Sequence, residues 1–188
     1  MGHRYHDLLF SASVKAVQSA EHSREIYERW EQGEDHHALL GQREVEFLTE
    51  RDSFYLASVS PDGWPYIQHR GGPTGFIRVL DERHIGFADY RGNRQYISTG
   101  NLRVEKRVAL FVMDYPNRRR LKLLGNALEI DADSPQLAAL CDPQYPARVE
   151  RGFLIEVAAF DWNCSQHITP RYDQATLERI IADKQETR

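Results

Sequence analysis

The chain is short of cysteine, of long apolar runs and of any large excess of one charge, and each shortage removes a class of protein. Its two cysteines, Cys141 and Cys164, form neither a spaced metal pair nor a disulfide framework, so reduced thiols in a cytosolic protein are expected. No apolar stretch reaches the length of a membrane span, and the N-terminus has no signal-peptide core; a cytoplasmic protein without a membrane partner is the expectation. A formal net charge of -4 with a pI near 6.1 argues against a general nucleic-acid binder. Internal repeats and low-complexity segments are lacking too. What is present suffices for a core: 41% of the 188 residues are hydrophobic and 11% aromatic, which suits one folded domain.

The spacing of Leu9, Phe10, Val14 and Val17, then of Ile26, Tyr27 and Trp30, predicts one or two amphipathic helices in an N-terminal arm over 1–42. Asp35-His36-His37 reads as solvated surface rather than a metal site, because neighbours on a loop rarely converge on one ion. A short helix over about 41–51 follows. Strands are predicted over 54–59 and 64–69 around a turn at Ser60-Pro61-Asp62-Gly63, and over 76–80 and 84–88 as a second hairpin. A helix from Gln95 to about Leu102 leads to strands over 107–113, 119–124, 125–130 and 153–160. Asp133-Ser134-Pro135 predicts a capped helix start, and 173–188 a polar final helix. Arg118-Arg119-Arg120 with Lys122 reads as charge guarding a strand edge. The class is α+β, mainly β: a small antiparallel barrel over 43–172 with flanking helices.

Two polar strand ends carry the chemistry. After Phe87-Ala88-Asp89-Tyr90, the residues Arg91, Asn93, Arg94 and Gln95 gather hydrogen-bond donors around Gly92, where a turn frees N–H groups beside a guanidinium fork suited to a phosphate. A cation at a helix start opposes the helix dipole, and a bound anion accounts for Arg94 there. Asn93 and Gln95 suit either a ligand or a helix cap. The second end is Gln68-His69-Arg70-Gly71-Gly72-Pro73, in which strand alternation sends His69 and Arg70 to opposite faces. Together the two ends suggest a cofactor with a charged tail and a hydrogen-bonding ring. Further along, Asn163, Gln166, His167 and Arg171 crowd donors beside Trp162 in a stretch with no strand or helix period. His167 suits a proton shuttle or a structural role, and Cys164 has no base placed beside it by spacing.

In these segments the chain resembles the pyridoxamine 5'-phosphate oxidase-like, FMN-binding split-barrel family. The likeness rests on Gly63 to Pro73, on Ile85-Gly86-Phe87-Ala88-Asp89-Tyr90 through Arg94-Gln95 with Asn101-Leu102 and Arg107 to Leu110, and on Asp161 to Arg171. It implies a six-stranded antiparallel split β-barrel of Greek-key type, binding FMN as a homodimer with the flavin at the interface. It further implies a cofactor site drawn from Gln68, His69, Arg70, Gly71, Asp89, Tyr90, Asn93, Arg94 and Gln95, with Asn163, Gln166, His167 and Arg171 covering the flavin, often that of the neighbouring subunit. Gly71 and Gly72 then serve either as a corner or as backbone donors to the isoalloxazine edge. The implied activity is FMN-dependent oxidation or reduction of a small-molecule substrate. Relatives of this kind also include flavin reductases, heme-degrading proteins and deazaflavin-dependent enzymes, and the alternative readings are a flavin-binding or flavin-storage protein without turnover and a heme-binding or heme-degrading one. Gln95 stands where the oxidases carry lysine, and their C-terminal Arg-x-His pattern is missing, which argues against pyridoxamine phosphate itself as substrate.

Overall fold

The computed structural model describes residues 3–162 and 165–186. Three short helices open the chain where the apolar spacing predicted one or two: α1 (Arg4–Leu9), α2 (Ala12–Ala20) and α3 (Arg24–Glu31). α2 starts where Ser11 Oγ accepts the Val14 N–H at 3.3 Å. In α4 (Gln42–Thr49), Glu44 reaches back to accept the Gly41 N–H at 3.0 Å and also accepts the Trp162 indole N–H at 2.6 Å, while Phe47 and Leu48 enter the core.

Seven strands follow: β1 (Ser53–Val59), β2 (Pro65–Gly71), β3 (Arg78–Val79), β4 (His84–Tyr90), β5 (Arg107–Asp114), β6 (Arg119–Ile130) and β7 (Val149–Trp162). They form one antiparallel sheet in the order β2-β1-β5-β6-β7-β4-β3. The expected mainly-β split-barrel class holds with seven strands in place of six, β3 being only two residues long. β5, β6 and β7 make a meander, and β4, joined to β5 through α5 (Ile97–Val104), lies beside β7 in Greek-key fashion. Alternation turns Phe54 and Leu56, Val108 and Leu110, Leu121 and Leu123, and Phe153 and Ile155 into a shared core. Phe54 packs against Phe76 and Phe87 there, with ring centroids 5.7 and 5.1 Å away.

Residues 119–130 are one strand rather than a pair, because Gly125 makes a bulge and not a turn. The register with β7 shifts between Leu124 and Gly125, and a Cβ at Gly125 would stand 2.5 Å from the Glu156 carbonyl oxygen. β6 is also interior to the sheet, so its basic run guards no edge. Arg119 instead donates to the buried Asp114 carboxylate at 2.7 Å, and the Arg120 guanidinium lies 5.8 Å from the Phe111 ring centre. The capped start at Ser134 holds, though it opens a 3₁₀ turn (Pro135–Ala139), with Ser134 Oγ accepting the Gln136 N–H. α6 (Gln174–Glu186) closes the described chain. Among the described residues, no helix is long and apolar enough to cross a membrane.

Candidate functional site

β2 and β4 stand at or beside opposite ends of the sheet and share no backbone ladder. Side chains join them instead. On β2, Tyr66, Gln68 and Arg70 form the half-buried face, while Ile67 and His69 face outward. Arg70 Nη1 donates to Asp89 Oδ1 of β4 at 2.5 Å, and Arg151 Nε, on the β7 residue paired with Asp89, lies 3.4 Å from Asp89 Oδ2. Burial pushes the Asp89 carboxyl above the usual carboxylate range, and Arg70 and Arg151 pull against that shift.

α5 holds the other wall. Asn101 Nδ2 donates to Ser58 Oγ of β1 at 3.0 Å in a buried contact, and Ser98 Oγ donates to Gln68 Oε1 at 3.0 Å. The helix is thereby fastened to β1 and β2, and the Gln68 amide retains its NH2 donors. The helix begins later than predicted because Tyr96 is left-handed, with φ 54°, and has no side-chain cap. Arg94 is left-handed too, with φ 62°. Neither residue favours this region, and each left-handed residue costs about 1–3 kcal/mol, a strain that recurs at ligand-holding turns. Asn93 Oδ1 accepts the Gln95 N–H at 3.2 Å, so it braces the turn and does not cap α5.

Between these walls lie two adjoining hollows of about 180 and 150 Å³. The first is bordered by Gln68, Arg70, Tyr90, Arg94, Tyr96 and Glu150; the second runs along the seam past Gly71 and Phe87. Arg94 Nε donates to the Tyr96 hydroxyl at 3.2 Å, and that hydroxyl donates to Glu150 Oε1 at 3.3 Å. Arg91 and Arg151 flank Glu150 at 3.6 and 3.5 Å, with the Arg151 guanidinium also 5.0 Å from the Tyr96 ring centre. Among the described residues Arg70, Arg91 and Arg151 each face a carboxylate and Arg94 has none within ion-pairing distance, so Arg94 is the cation left for an incoming anion.

Of the residues singled out by sequence, Gln68, Arg70, Gly71, Asp89, Tyr90, Asn93 and Arg94 border these hollows, with Gln95 in the turn beside them. His69 borders the seam as well, but its ring packs outward against Tyr55 at 5.7 Å. Asp89 is engaged as a strut between two arginines rather than offered to a ligand. The tail does not join them within the chain: Arg171 stacks on Tyr115 at 4.9 Å and borders a separate hollow, and Gln166 and His167 are exposed. Asn163 and Cys164 lie outside the described residues. Sequence reasoning missed Tyr96, Glu150 and Arg151. The last two become visible only once β4 is known to pair with β7, which sets Arg151 opposite Asp89.

The chemistry of this cleft fits a phosphate-bearing aromatic cofactor. Arg70 Nε is buried and has no hydrogen-bond partner, which leaves a donor on a wall that also carries the Gln68 amide. Together the hollows reach the low end of the roughly 300–1,000 Å³ typical of small-molecule sites.

Comparison with curated proteins found no match. Among solved structures, HupZ of Group A Streptococcus superposes with a TM-score of 0.53 at 14% identity, covering 71% of this chain and all of that one (100%). A protein provisionally assigned as a pyridoxamine 5'-phosphate oxidase, from Lactobacillus delbrueckii, gives 0.51 at 22% identity, covering 65% of this chain and 93% of that one. Both likenesses establish the fold. The model of the family described as pyridoxamine 5'-phosphate oxidase matches residues 40–161, the helix α4 and every strand of the sheet, and the chain therefore belongs to the pyridoxamine 5'-phosphate oxidase family.

Proposed function

We propose that this protein binds FMN in the cleft between β2 and β4 and acts as an FMN-dependent oxidoreductase on a small-molecule substrate, working as a homodimer with the flavin at the interface. The observation that carries the reading is the left-handed pair Arg94 and Tyr96 at the uncapped start of α5, opening on a hollow where Arg94 has no carboxylate of its own. A phosphomonoester dianion suits that turn by charge and by backbone geometry. Arg94 and the turn would hold the phosphate, while the Gln68 amide and Arg70 Nε would donate to the ring edge. Bound FMN supplies electron transfer at its ring, and the side chains named here bind and orient it. Glu150 opposes the phosphate and sets a limit on affinity.

Support for a second copy comes from the outer face of β1, β2 and β5. There Tyr55, Ala57, Ile67, Ala109 and Phe111 line an apolar groove of about 400 Å³. The test is a titration of the purified protein with FMN, followed by flavin fluorescence, beside sedimentation to read the oligomeric state. Wild-type protein should bind one FMN per chain as a dimer. Arg94→Ala should weaken binding about tenfold or more, and Glu150→Gln should tighten it. FMN affinity unchanged by both substitutions would place the phosphate elsewhere.

A further inference from the structure

A second cluster of donors forms far from the cleft, where the N-terminal arm meets the end of β7. We propose that His3, His37 and Asp161 bind one divalent cation of the zinc class, with a fourth position left to water. Their ligand atoms, one from each residue, all lie within 4.8 Å of one another. His3 is only 5% exposed; its Nε2 stands 3.9 Å from Asp161 Oδ1, and its Nδ1 is buried with no partner. The Nδ1 of His37 lies 3.0 Å from the Phe160 carbonyl oxygen, a contact that requires the proton on Nδ1 and leaves the Nε2 lone pair free. A metal-binding histidine commonly donates its other ring N–H to a backbone carbonyl in this way. Asp161 Oδ2 is held by Lys122 at 2.9 Å, so Oδ1 is the oxygen offered to the ion.

The backbone holds these three segments together without the ion. Asp35 Oδ1 accepts both the Arg4 N–H, at 3.3 Å, and the His37 N–H, at 2.9 Å, tying the residue after His3 to His37 itself. The Phe160 N–H donates to the His37 carbonyl at 2.9 Å, which fixes His37 beside Asp161. His36 is solvated surface, as the sequence predicted; His37 is half-buried, because the chain brings partners to it from 34 residues upstream and from β7.

Two imidazoles and one carboxylate suit zinc, cobalt(II) or nickel(II), whereas calcium and magnesium call for oxygen ligands alone. The His3 ring lies in a stack whose centroids are 3.7 Å from His37 and 3.4 Å from His6. Bond lengths of about 2.0–2.2 Å set tetrahedral donors roughly 3.4 Å apart, so the rings must turn out of their stack and close by about 1 Å. The Lys122 ammonium stays close and lowers the affinity. A bound ion would fasten the arm to β7.

The full chain, stripped with EDTA, is titrated with Zn²⁺ by calorimetry and with Co²⁺ by visible absorption. One equivalent is expected, with the absorption bands of four-coordinate cobalt. His37→Ala and Asp161→Asn should each weaken uptake by about 100-fold or more, and His36→Ala should leave it unchanged. His3→Ala repeats the test without touching the bond from His37 to Phe160, and circular dichroism checks each fold. No uptake by the wild-type chain, or uptake that survives in all three ligand variants, would overturn the proposal.

Discussion

The Asp89 carboxylate joins the two ends of the sheet, and its removal is the sharpest test of how the barrel is held. In Asp89→Asn, Arg151 keeps Glu129 at 2.8 Å and Glu150 at 3.5 Å, so it remains paired. Arg70 does not: Asp89 is the carboxylate it pairs with among the described residues, its side chain is 13% exposed, and its guanidinium otherwise faces Phe87 and Phe153 at 6.0 Å each. Leaving one buried charge without its partner costs about 3–5 kcal/mol. For a chain of this length that corresponds to a fall in melting temperature of roughly 6–20 °C. Arg70→Met should cost less, because Asp89 then still has Arg151 at 3.4 Å. The double variant R70M/D89N should be more stable than D89N alone, since the orphaned cation is gone. Urea denaturation of the four proteins closes the cycle. A loss under about 1 kcal/mol in D89N, or strict additivity in the double variant, would refute the strut.

Three further outcomes follow from buried contacts. Asn101→Ala leaves the Ser58 hydroxyl without its donor and detaches α5 from β1; denaturation should show a loss of about 1–3 kcal/mol. Gly125→Ala forces a methyl to within 2.5 Å of a carbonyl oxygen at the bulge, and overpacking of this kind costs about 1–3 kcal/mol, read as a lower melting temperature. Burial pushes the Asp114 carboxyl up, but hydrogen bonds from Arg119 and Asn117 and the charge of Arg51 outweigh it, so the pKa falls below 3.8. A depressed acid pKa stabilises the fold above the unfolded value, and that stability is lost as pH drops through the folded value. Asp114→Asn should therefore flatten the acid limb of a stability profile below about pH 4, and an unchanged limb would refute the assignment.

Alternation and turn chemistry made most of the sheet legible. Phe54-Tyr55-Leu56-Ala57-Ser58-Val59 reads as a buried strand and is a strand, though buried only on alternate residues, and Ser60-Pro61-Asp62-Gly63 turns where its residues allow. Gly125 misled because a glycine inside a strand signals a bulge as readily as a turn, and only the approach of Glu156 distinguishes them. The arginine run misled for a related reason: edge or interior is a property of strand order, which pairing decides. In the cleft, Arg70 and Arg94 were visible as donors beside glycines. Glu150 and Arg151 were not, since their roles depend on register across β4 and β7. His37 is the same case on a longer scale, an ordinary loop histidine until His3 and Asp161 arrive beside it.

The seam between β2 and β4 differs in kind from every other junction in the sheet. A backbone ladder resists sliding at each residue, whereas here the load falls on one ion pair and on α5 behind it. Separation of the sheet should begin there, where the fewest bonds break together. A molecule lodged in the cleft bears on β2 and on the turn after β4 at once, and so acts as a cross-tie. Its binding then adds directly to resistance against opening, about 2.7 kcal/mol at a hundredfold excess over Kd. In such an arrangement, whatever loosens the seam also loosens its hold on the bound molecule.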